Sequence, residues 1–268
     1  MNAVQKPRVT LSEFKATMAE AIDSGELKQV DPPLEHYHTP DLYGRRIFVD
    51  ADTAIVTKVH KSEHITIALK GSCTVVDENG VKTEVVAPAV FITKPGTWRA
   101  VYAHTDVEWV TVHACKEQEL AAIEAQLVCD TPEEVDQEDY KRVLLEYNMN
   151  EKMARLISEN PRTQIDAPAD VAKIRISPSK IQGDGVFANG DIAAGEKIGV
   201  ARIGPMRTLI GRYTNHSVNP NCEFRPSTKG GMDAYALRDI GADQEITVCY
   251  RLARKASIAA AQFLEKAL

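Results

Sequence analysis

The chain has 268 residues, of which 44% are hydrophobic and 26% charged, and a formal net charge of −6. That length allows one large or two modest domains with ordinary packed cores, and the acidic balance argues against general nucleic-acid binding. No apolar run approaches the roughly 18 residues of a membrane span. Met1-Asn2-Ala3-Val4-Gln5-Lys6-Pro7 lacks the apolar stretch of a secretory signal, so a cytoplasmic protein with no membrane partner is expected. The five cysteines, Cys73, Cys115, Cys129, Cys222 and Cys249, are scattered and form no Cys-x-x-Cys pair, which predicts reduced thiols. Charge is uneven: residues 172–268 hold 14 Lys and Arg against 9 Asp and Glu, and the rest hold 18 against 29. A basic C-terminal part docked on an acidic one, an acidic partner surface, and two solvated faces of opposite sign all remain open.

Thr10-Leu11-Ser12-Glu13 has the spacing of a capping box and predicts a short helix to about Ser24. From about Val30 to Ala114 the texture changes to short β-branched runs: 54–59, 65–69, 74–77, 81–86, 90–93 and 107–113. Asp77-Glu78-Asn79-Gly80 and Lys94-Pro95-Gly96 supply turns between them, and many short strands at this spacing predict a sandwich or barrel. Residues 117–128 and 131–159 return to helical spacing, with Leu144, Leu145, Tyr147, Met153, Leu156 and Ile157 recurring, and predict a helical connector over 117–170. Asn160-Pro161 and Ala167-Pro168-Ala169 end it, and a second domain is expected over 171–252 from about Val171. An amphipathic helix with Ile258, Phe263 and Leu264 is expected over 253–268. The fold class expected is mainly β with a helical connector.

Three ordered blocks carry chemistry in the C-terminal part. They are Gly183-Asp184-Gly185-Val186-Phe187-Ala188 with Asp191-Ile192-Ala193-Ala194-Gly195-Glu196, then Arg212-Tyr213-Thr214-Asn215-His216-Ser217, then Ala236-Leu237-Arg238-Asp239-Ile240 through Glu245-Ile246-Thr247-Val248-Cys249-Tyr250. Over about 80 residues the set resembles the SET domain, the fold of many protein-lysine methyltransferases. The resemblance implies S-adenosylmethionine as methyl donor, a lysine-bearing protein as partner, and Tyr250 as the catalytic tyrosine. It places Gly183, Gly185, Asn215 and His216 at the cofactor. For Gly183 and Gly185 a tight hairpin is the simpler role, and Asn215 could serve as a structural knot, because a buried amide must be satisfied. Arg212 either faces the cofactor carboxylate or forms a surface ion pair. Tyr213, Phe224 and Tyr235 are candidate walls of a lysine channel through cation–π attraction, with core packing as the alternative for each.

Two departures from the family pattern stand out. Few residues separate Val186 from Thr214, which leaves little room for an inserted substrate-binding subdomain. Val218 stands where many members carry a zinc-ligating cysteine, and no cysteine cluster follows Tyr250.

In the N-terminal part His60, His64 and Gly71, then Pro95-Gly96-Thr97-Trp98-Arg99, resemble the two motifs of a cupin, a small β-barrel that often holds a metal. Lys58 and Arg99 occupy positions where cupins commonly have histidine. The resemblance leaves His60, His64 and His113 as a three-imidazole set for a divalent metal, an empty barrel, or an anion site through Arg99 and Lys58. His36 and His38 share one strand face. His60-Lys61-Ser62-Glu63-His64 also resembles cupin-type proteins of tailed bacteriophages, which implies a phage or bacterial origin, in the first case with the host cytoplasm as location. The functions weighed are a lysine methyltransferase with an accessory barrel, a non-catalytic binding or virion-associated protein, and a metal-dependent cupin enzyme. A homodimer through the barrel is also expected.

Overall fold

The computed structural model describes residues 9–166, 173–227 and 230–267, and the side chains of the last helix as far as residue 259. The expected breaks at Ala167-Pro168-Ala169 and Val171, and the side chains of Phe263 and Leu264, lie outside the described residues. The chain divides into two compact units, Met1–Pro132 and Glu133–Leu268. Among the described residues no helix is long and apolar enough to cross a membrane.

The first unit begins with α1 (Leu11–Asp23). Its capping box forms as expected: Thr10 Oγ1 accepts from the Glu13 amide at 3.2 Å, and Glu13 Oε2 accepts from the Thr10 amide at 2.8 Å. The strands follow as β1 (Leu34–His38), β2 (Leu42–Val49), β3 (Ala54–Val56), β4 (Val59–His60), β5 (His64–Lys70), β6 (Ser72–Asp77), β7 (Lys82–Val86), β8 (Ala89–Thr93), β9 (Arg99–Ala103) and β10 (Val107–Ala114). α2 (Leu120–Leu127) and the short β11 (Val128–Cys129) complete the unit. Two antiparallel sheets, in the orders β1-β2-β10-β5-β8 and β3-β9-β6-β7, face each other across one core, and β11 pairs with β4. Val49, Ala68, Val107 and Trp109 from the first sheet meet Cys73, Val75, Val101 and Ala103 from the second. This is a cupin-like double-sheet barrel.

Turn chemistry sets the connections. Asp77 Oδ1 accepts from the Asn79 and Val81 amides at 2.9 and 2.8 Å, with Gly80 at φ +71°. Gly71 sits at φ +85°, and a Cβ there would lie 2.1 Å from the Asp106 carbonyl oxygen.

The stretch expected as one helical connector divides between the units. α2 buries Ile123 and Leu127 against Tyr43 and Cys115 of the barrel, because its apolar residues repeat on one face. α3 (Pro132–Glu146) and α4 (Glu151–Ser158) lie with the second unit. Of the apolar positions expected to pack there, Leu144 is buried, whereas Leu145, Met153, Leu156 and Ile157 are exposed.

The second unit continues with β12 (Ile174–Pro178), β13 (Asp184–Ala188), β14 (Lys197–Ile203), β15 (Met206–Arg207), α5 (Leu209–Tyr213), β16 (Asn215–His216), β17 (Cys222–Ser227), β18 (Gly231–Ala236), β19 (Glu245–Val248) and α6 (Tyr250–Ala267). One curled sheet has the order β12-β13-β19-β17-β18-β14-β15, and β16 pairs in parallel with β19. Val186, Ala188, Ile192, Ile198, Ile210, Met232 and Ile246 form its core, with Ala256 of α6 packed against them. α6 starts three residues earlier than expected, so Tyr250 is the first residue of a helix.

Candidate active site

The parallel pairing of β16 with β19 sets Asn215 opposite Thr247 and His216 opposite Val248. Asn215 is buried, and its amide nitrogen lies 3.0 Å from the Gln182 carbonyl, 3.2 Å from that of Asp184 and 2.9 Å from Glu245 Oε1. The side-chain amide therefore ties β16 to the loop that opens β13. Burial raises the Glu245 carboxyl, and hydrogen bonds from Asn215 and from Ser179, the latter at 2.9 Å, oppose the rise. Gly185 explains itself here, because a Cβ at that position would come within 2.3 Å of Glu245 Oε1. Gly183 differs: it sits at φ +51° and a Cβ there would meet nothing within 4 Å.

His216 is almost completely buried and spans two elements. Its Nδ1 accepts from the Tyr250 amide at 3.2 Å, which leaves the ring hydrogen on Nε2, directed at Asp139 Oδ2 2.9 Å away. The two contacts thereby fix the orientation of the ring. Burial alone would raise the Asp139 carboxyl, but hydrogen bonds from His216 and from Arg251 (Nη1 at 2.5 Å) outweigh it and hold the group far below its usual range. Arg251 also reaches Glu146, at 2.8 and 2.6 Å. Asp136, one helical turn before Asp139, accepts from the Val218 amide at 2.8 Å, and burial pushes its carboxyl up to about 7. α3 is thus the buttress of the Asn215–His216 segment.

Tyr250 donates its hydroxyl to the Thr214 carbonyl at 3.1 Å, and burial raises its phenol far above the usual range, so it stays protonated. Its ring forms part of the wall of a cleft of about 1000 Å3. Gly183, Arg212, Tyr213, Asn215 and Phe224 line the same cleft. Gly185, His216 and Tyr235 do not. Gly185 packs on Glu245, His216 lies behind Tyr250, and Tyr235 lies under the Arg225 guanidinium at 4.5 Å. Arg212 lies over the Tyr213 ring at 4.8 Å and donates to its hydroxyl at 3.0 Å. Arg202 and Arg207 join it in the cleft, and among the described residues no carboxylate pairs with any of the three. Arg202 Nε and Arg212 Nε are buried without a hydrogen-bond partner. The cleft is therefore cationic and carries unused donors.

The barrel gathers the other set. His60, His64 and His113 are buried, with ring centroids 4.2 to 5.1 Å apart and one ring nitrogen from each within 4.8 Å of the others. His64 Nδ1 lies 3.1 Å from the Ser62 carbonyl, which leaves Nε2 as a lone-pair donor. His60 Nδ1 and His113 Nδ1 are buried without partners. Burial, then the neighbouring imidazoles, pushes His60 down to about 2; burial and His64 push His113 down to about 3. The three rings are neutral at neutral pH and fit a transition metal, which takes neutral imidazole. Lys58 does not join them: it is exposed and paired with Asp130 at 2.5 Å. Nor do His36, which bonds the Tyr43 hydroxyl at 2.7 Å, or His38 on the same exposed strand. No disulfide joins the cysteines among the described residues, and burial raises the Cys73 thiol to about 11 and that of Cys222 to about 12.

Sequence reasoning missed Asp136, Asp139 and Arg251, because acids three apart on a polar helix read as a solvated face. It missed Arg202 and Arg207 for want of a motif. Arg45 went unremarked because strand β2 itself went unrecognised.

Residues 201–251 match the family model of the SET domain. No curated protein matches the chain. Among solved structures, the chain is similar to a conserved protein with a double-stranded β-helix domain from Klebsiella pneumoniae, at 20% identity and TM-score 0.30, covering 35% of this chain and 84% of that one. It is also similar to a cupin domain from Bordetella pertussis, at 9% identity and TM-score 0.29, covering 33% and 98%. A third is salicylate 1,2-dioxygenase from Pseudoaminobacter salicylatoxidans, at 16% identity and TM-score 0.31, covering 43% and 34%.

Proposed function

We propose that the C-terminal unit, which carries a SET domain, transfers a methyl group from S-adenosylmethionine to lysine side chains of a protein, with the cupin-like barrel as an accessory module. The observation that carries this reading is the assembly of Asn215 and Tyr250, the latter backed by His216, at one wall of a cleft whose other residues include Gly183, Arg212 and Phe224.

The residues fit such a cofactor. Its carboxylate matches the unpaired guanidinium groups of Arg212 and Arg202, whose Nε–H donors lack protein partners. Gly183, with positive φ and open space where a Cβ would stand, permits close approach of the backbone. When bound, the cofactor supplies a sulfonium methyl activated for in-line displacement.

The chain's own residues then align and desolvate the acceptor. A lysine must be neutral to attack, and the cationic surround of Arg202, Arg207 and Arg212 disfavours its ammonium form. Lysine tolerates such a shift, whereas arginine stays charged. Tyr250 acts as a neutral phenol. With its proton committed to the Thr214 carbonyl, its oxygen keeps lone pairs for weak C–H contacts from a polarised methyl. His216, through its bond to the Tyr250 amide, is a positioning residue, and Asp139 holds its ring.

Calorimetry with S-adenosylmethionine tests the reading. Binding is expected for the full chain and is expected to weaken at least tenfold in Asn215→Ala; absence of binding by well-folded protein would sink it.

A second reading concerns the barrel and is favoured by the orphaned nitrogens of His60 and His113. His60, His64 and His113 would hold one divalent transition metal, which supplies Lewis-acid or redox capacity at its remaining positions. Metal analysis after dialysis against zinc, with His64→Ala as control, tests this.

A further inference from the structure

The cleft beside Tyr250 holds more positive charge than the proposed cofactor can use. Arg202 and Arg207 stand opposite each other where β14 pairs with β15. Directly opposed residues on antiparallel strands project to one face, and like charges so placed repel. Gly211 brings a third guanidinium to them: it packs so tightly on β14 that a Cβ would lie 2.0 Å from the Ala201 carbonyl oxygen, and Arg212 follows it into the same cleft. A fourth comes from α6, where Arg254 stands one helical turn after Tyr250 and lies over the Tyr147 ring at 4.1 Å.

Among the described residues no carboxylate forms an ion pair with any of the four. The carboxylates that line the cleft are those of Glu151, Glu159 and Asp184. Glu159 is held by Arg155 at 3.2 Å, and Asp233 on neighbouring β18 is held by Lys197 at 2.9 Å. Burial and then Arg202 disfavour the charged form of Arg207, and the Tyr250 phenol rather than a carboxylate opposes them. A guanidinium stays charged regardless, so the repulsion stands until a ligand offsets it.

S-adenosylmethionine offsets little of it. Its one carboxylate, assigned above to Arg202 and Arg212, comes with an ammonium and a sulfonium that are both positive. Arg207 and Arg254 remain, and both flank Tyr250: Arg207 lies close enough to act on its phenol, and Arg254 shares its face of the helix.

We propose that the acceptor lysine lies in an acidic stretch of its protein, whose carboxylates pair with Arg207 and Arg254; this rests on the methyl-transfer reading above. Carboxylates one or two residues from the lysine come within about 7 Å of it along an extended chain, so a lysine held at Tyr250 places them beside both guanidinium groups. Each guanidinium fork meets a carboxylate with two parallel hydrogen bonds. Acidic neighbours also offset the repulsion that the four cations exert on an arriving ammonium, whereas basic neighbours would add to it. A nucleic acid fits less well, because residues 133–268 hold 19 Lys and Arg against 19 Asp and Glu and the unit as a whole is not basic.

Fluorescence anisotropy of lysine peptides on the full chain saturated with S-adenosylhomocysteine tests this, with transfer from labelled cofactor to the same peptides as a second readout. The peptides differ only in the residues that flank one lysine: aspartate and glutamate, serine, or arginine. The acidic peptide is expected to bind about tenfold more tightly than the serine peptide, and the arginine peptide to bind least. Arg207→Gln and Arg254→Gln are each expected to bring the acidic and serine peptides within about threefold of each other, whereas a merely structural role would weaken all the peptides alike. Arg254→Glu is expected to favour the arginine peptide. Arg254 is exposed, so its variants keep the fold even if those at Arg207 do not. Equal binding of the peptides, tightest binding of the arginine peptide, or a preference unchanged in the variants overturns the proposal. Tighter binding of a single-stranded oligonucleotide of the same charge overturns the peptide class. If neither S-adenosylmethionine nor S-adenosylhomocysteine binds, the methyl-transfer reading falls separately, and the peptides are titrated on the chain alone. A preference for the acidic peptide that depends on Arg207 and Arg254 then upholds the acidic docking site, and its absence overturns it.

Discussion

Asp139→Asn probes the buttress behind Tyr250. The carboxylate accepts from His216 Nε2 at 2.9 Å and from Arg251 at 2.5 and 3.2 Å, and the His216 side chain has no solvent exposure. Asparagine keeps one carbonyl acceptor and replaces the other oxygen with an NH2 group that faces donors: at the Oδ2 position it meets both His216 Nε2 and Arg251 Nη1, and at the Oδ1 position it meets Arg251 Nη2. Leaving one buried donor unmet costs about 1–3 kcal/mol, and the lost ion pair with Arg251 brings the total to about 2–4 kcal/mol. In a unit of this size that lowers the melting temperature by roughly 5–12 °C. The pH dependence gives a sharper signature. The folded Asp139 carboxyl lies below its unfolded value near 3.9, so its contribution is complete above that value and fades as pH falls toward the folded pKa. The stability gap between wild type and variant should be flat from about pH 5 to 8 and narrow in acid. Urea unfolding of both proteins across pH 3 to 8 measures it. A gap under about 0.5 kcal/mol at pH 7, or one that widens in acid, would refute the role given to Asp139.

Asp136 predicts the opposite trend. Its folded carboxyl is raised to about 7, so the folded state holds an extra proton between about pH 4 and 7 and wild-type stability falls as pH rises through that window. Asp136→Asn, which keeps an acceptor for the Val218 amide, should therefore gain on wild type by on the order of 2 kcal/mol between pH 4.5 and 8, read by the same titration. Gly185→Ala should cost about 1–3 kcal/mol and weaken cofactor binding, because the new methyl displaces the Glu245 oxygen that Asn215 contacts; thermal unfolding and calorimetry would show both. Gly183→Ala, with open space but positive φ, should cost only about 1 kcal/mol in the same assay. His64→Ala should abolish metal uptake by the barrel without changing methyl transfer, as measured by metal analysis and labelled-cofactor turnover.

What the sequence disclosed follows from how local each signal is. The capping box at Thr10–Glu13 and the Asp77–Gly80 turn involve neighbours three or four residues apart, and both form as read. The short β-branched runs at 65–69, 81–86 and 107–113 became strands with ends shifted by a residue. β2 was missed because Arg45, an inward charge, breaks the alternation that marks Leu42–Val49. β1 and β9 are short, and Glu35, His36 and Arg99 blur their pattern in the same way. At the candidate active site the contiguous Asn215-His216 and the isolated Tyr250 were legible as motifs. Asp139 lies 77 residues from its partner His216, and only the fold brings the two together. Tyr235 alternates like a channel wall, yet its face of β18 carries it under Arg225 and away from the cleft.

The central claim is that Tyr250 stands at a methyl-transfer centre. Incubation of the full chain with radiolabelled S-adenosylmethionine and a bacterial lysate, followed by hydrolysis and amino-acid analysis, measures it directly. The account predicts label in methylated lysine, reduced at least a hundredfold by Tyr250→Phe while cofactor binding is retained. Label found on no lysine, or transfer undiminished in Tyr250→Phe, would contradict it.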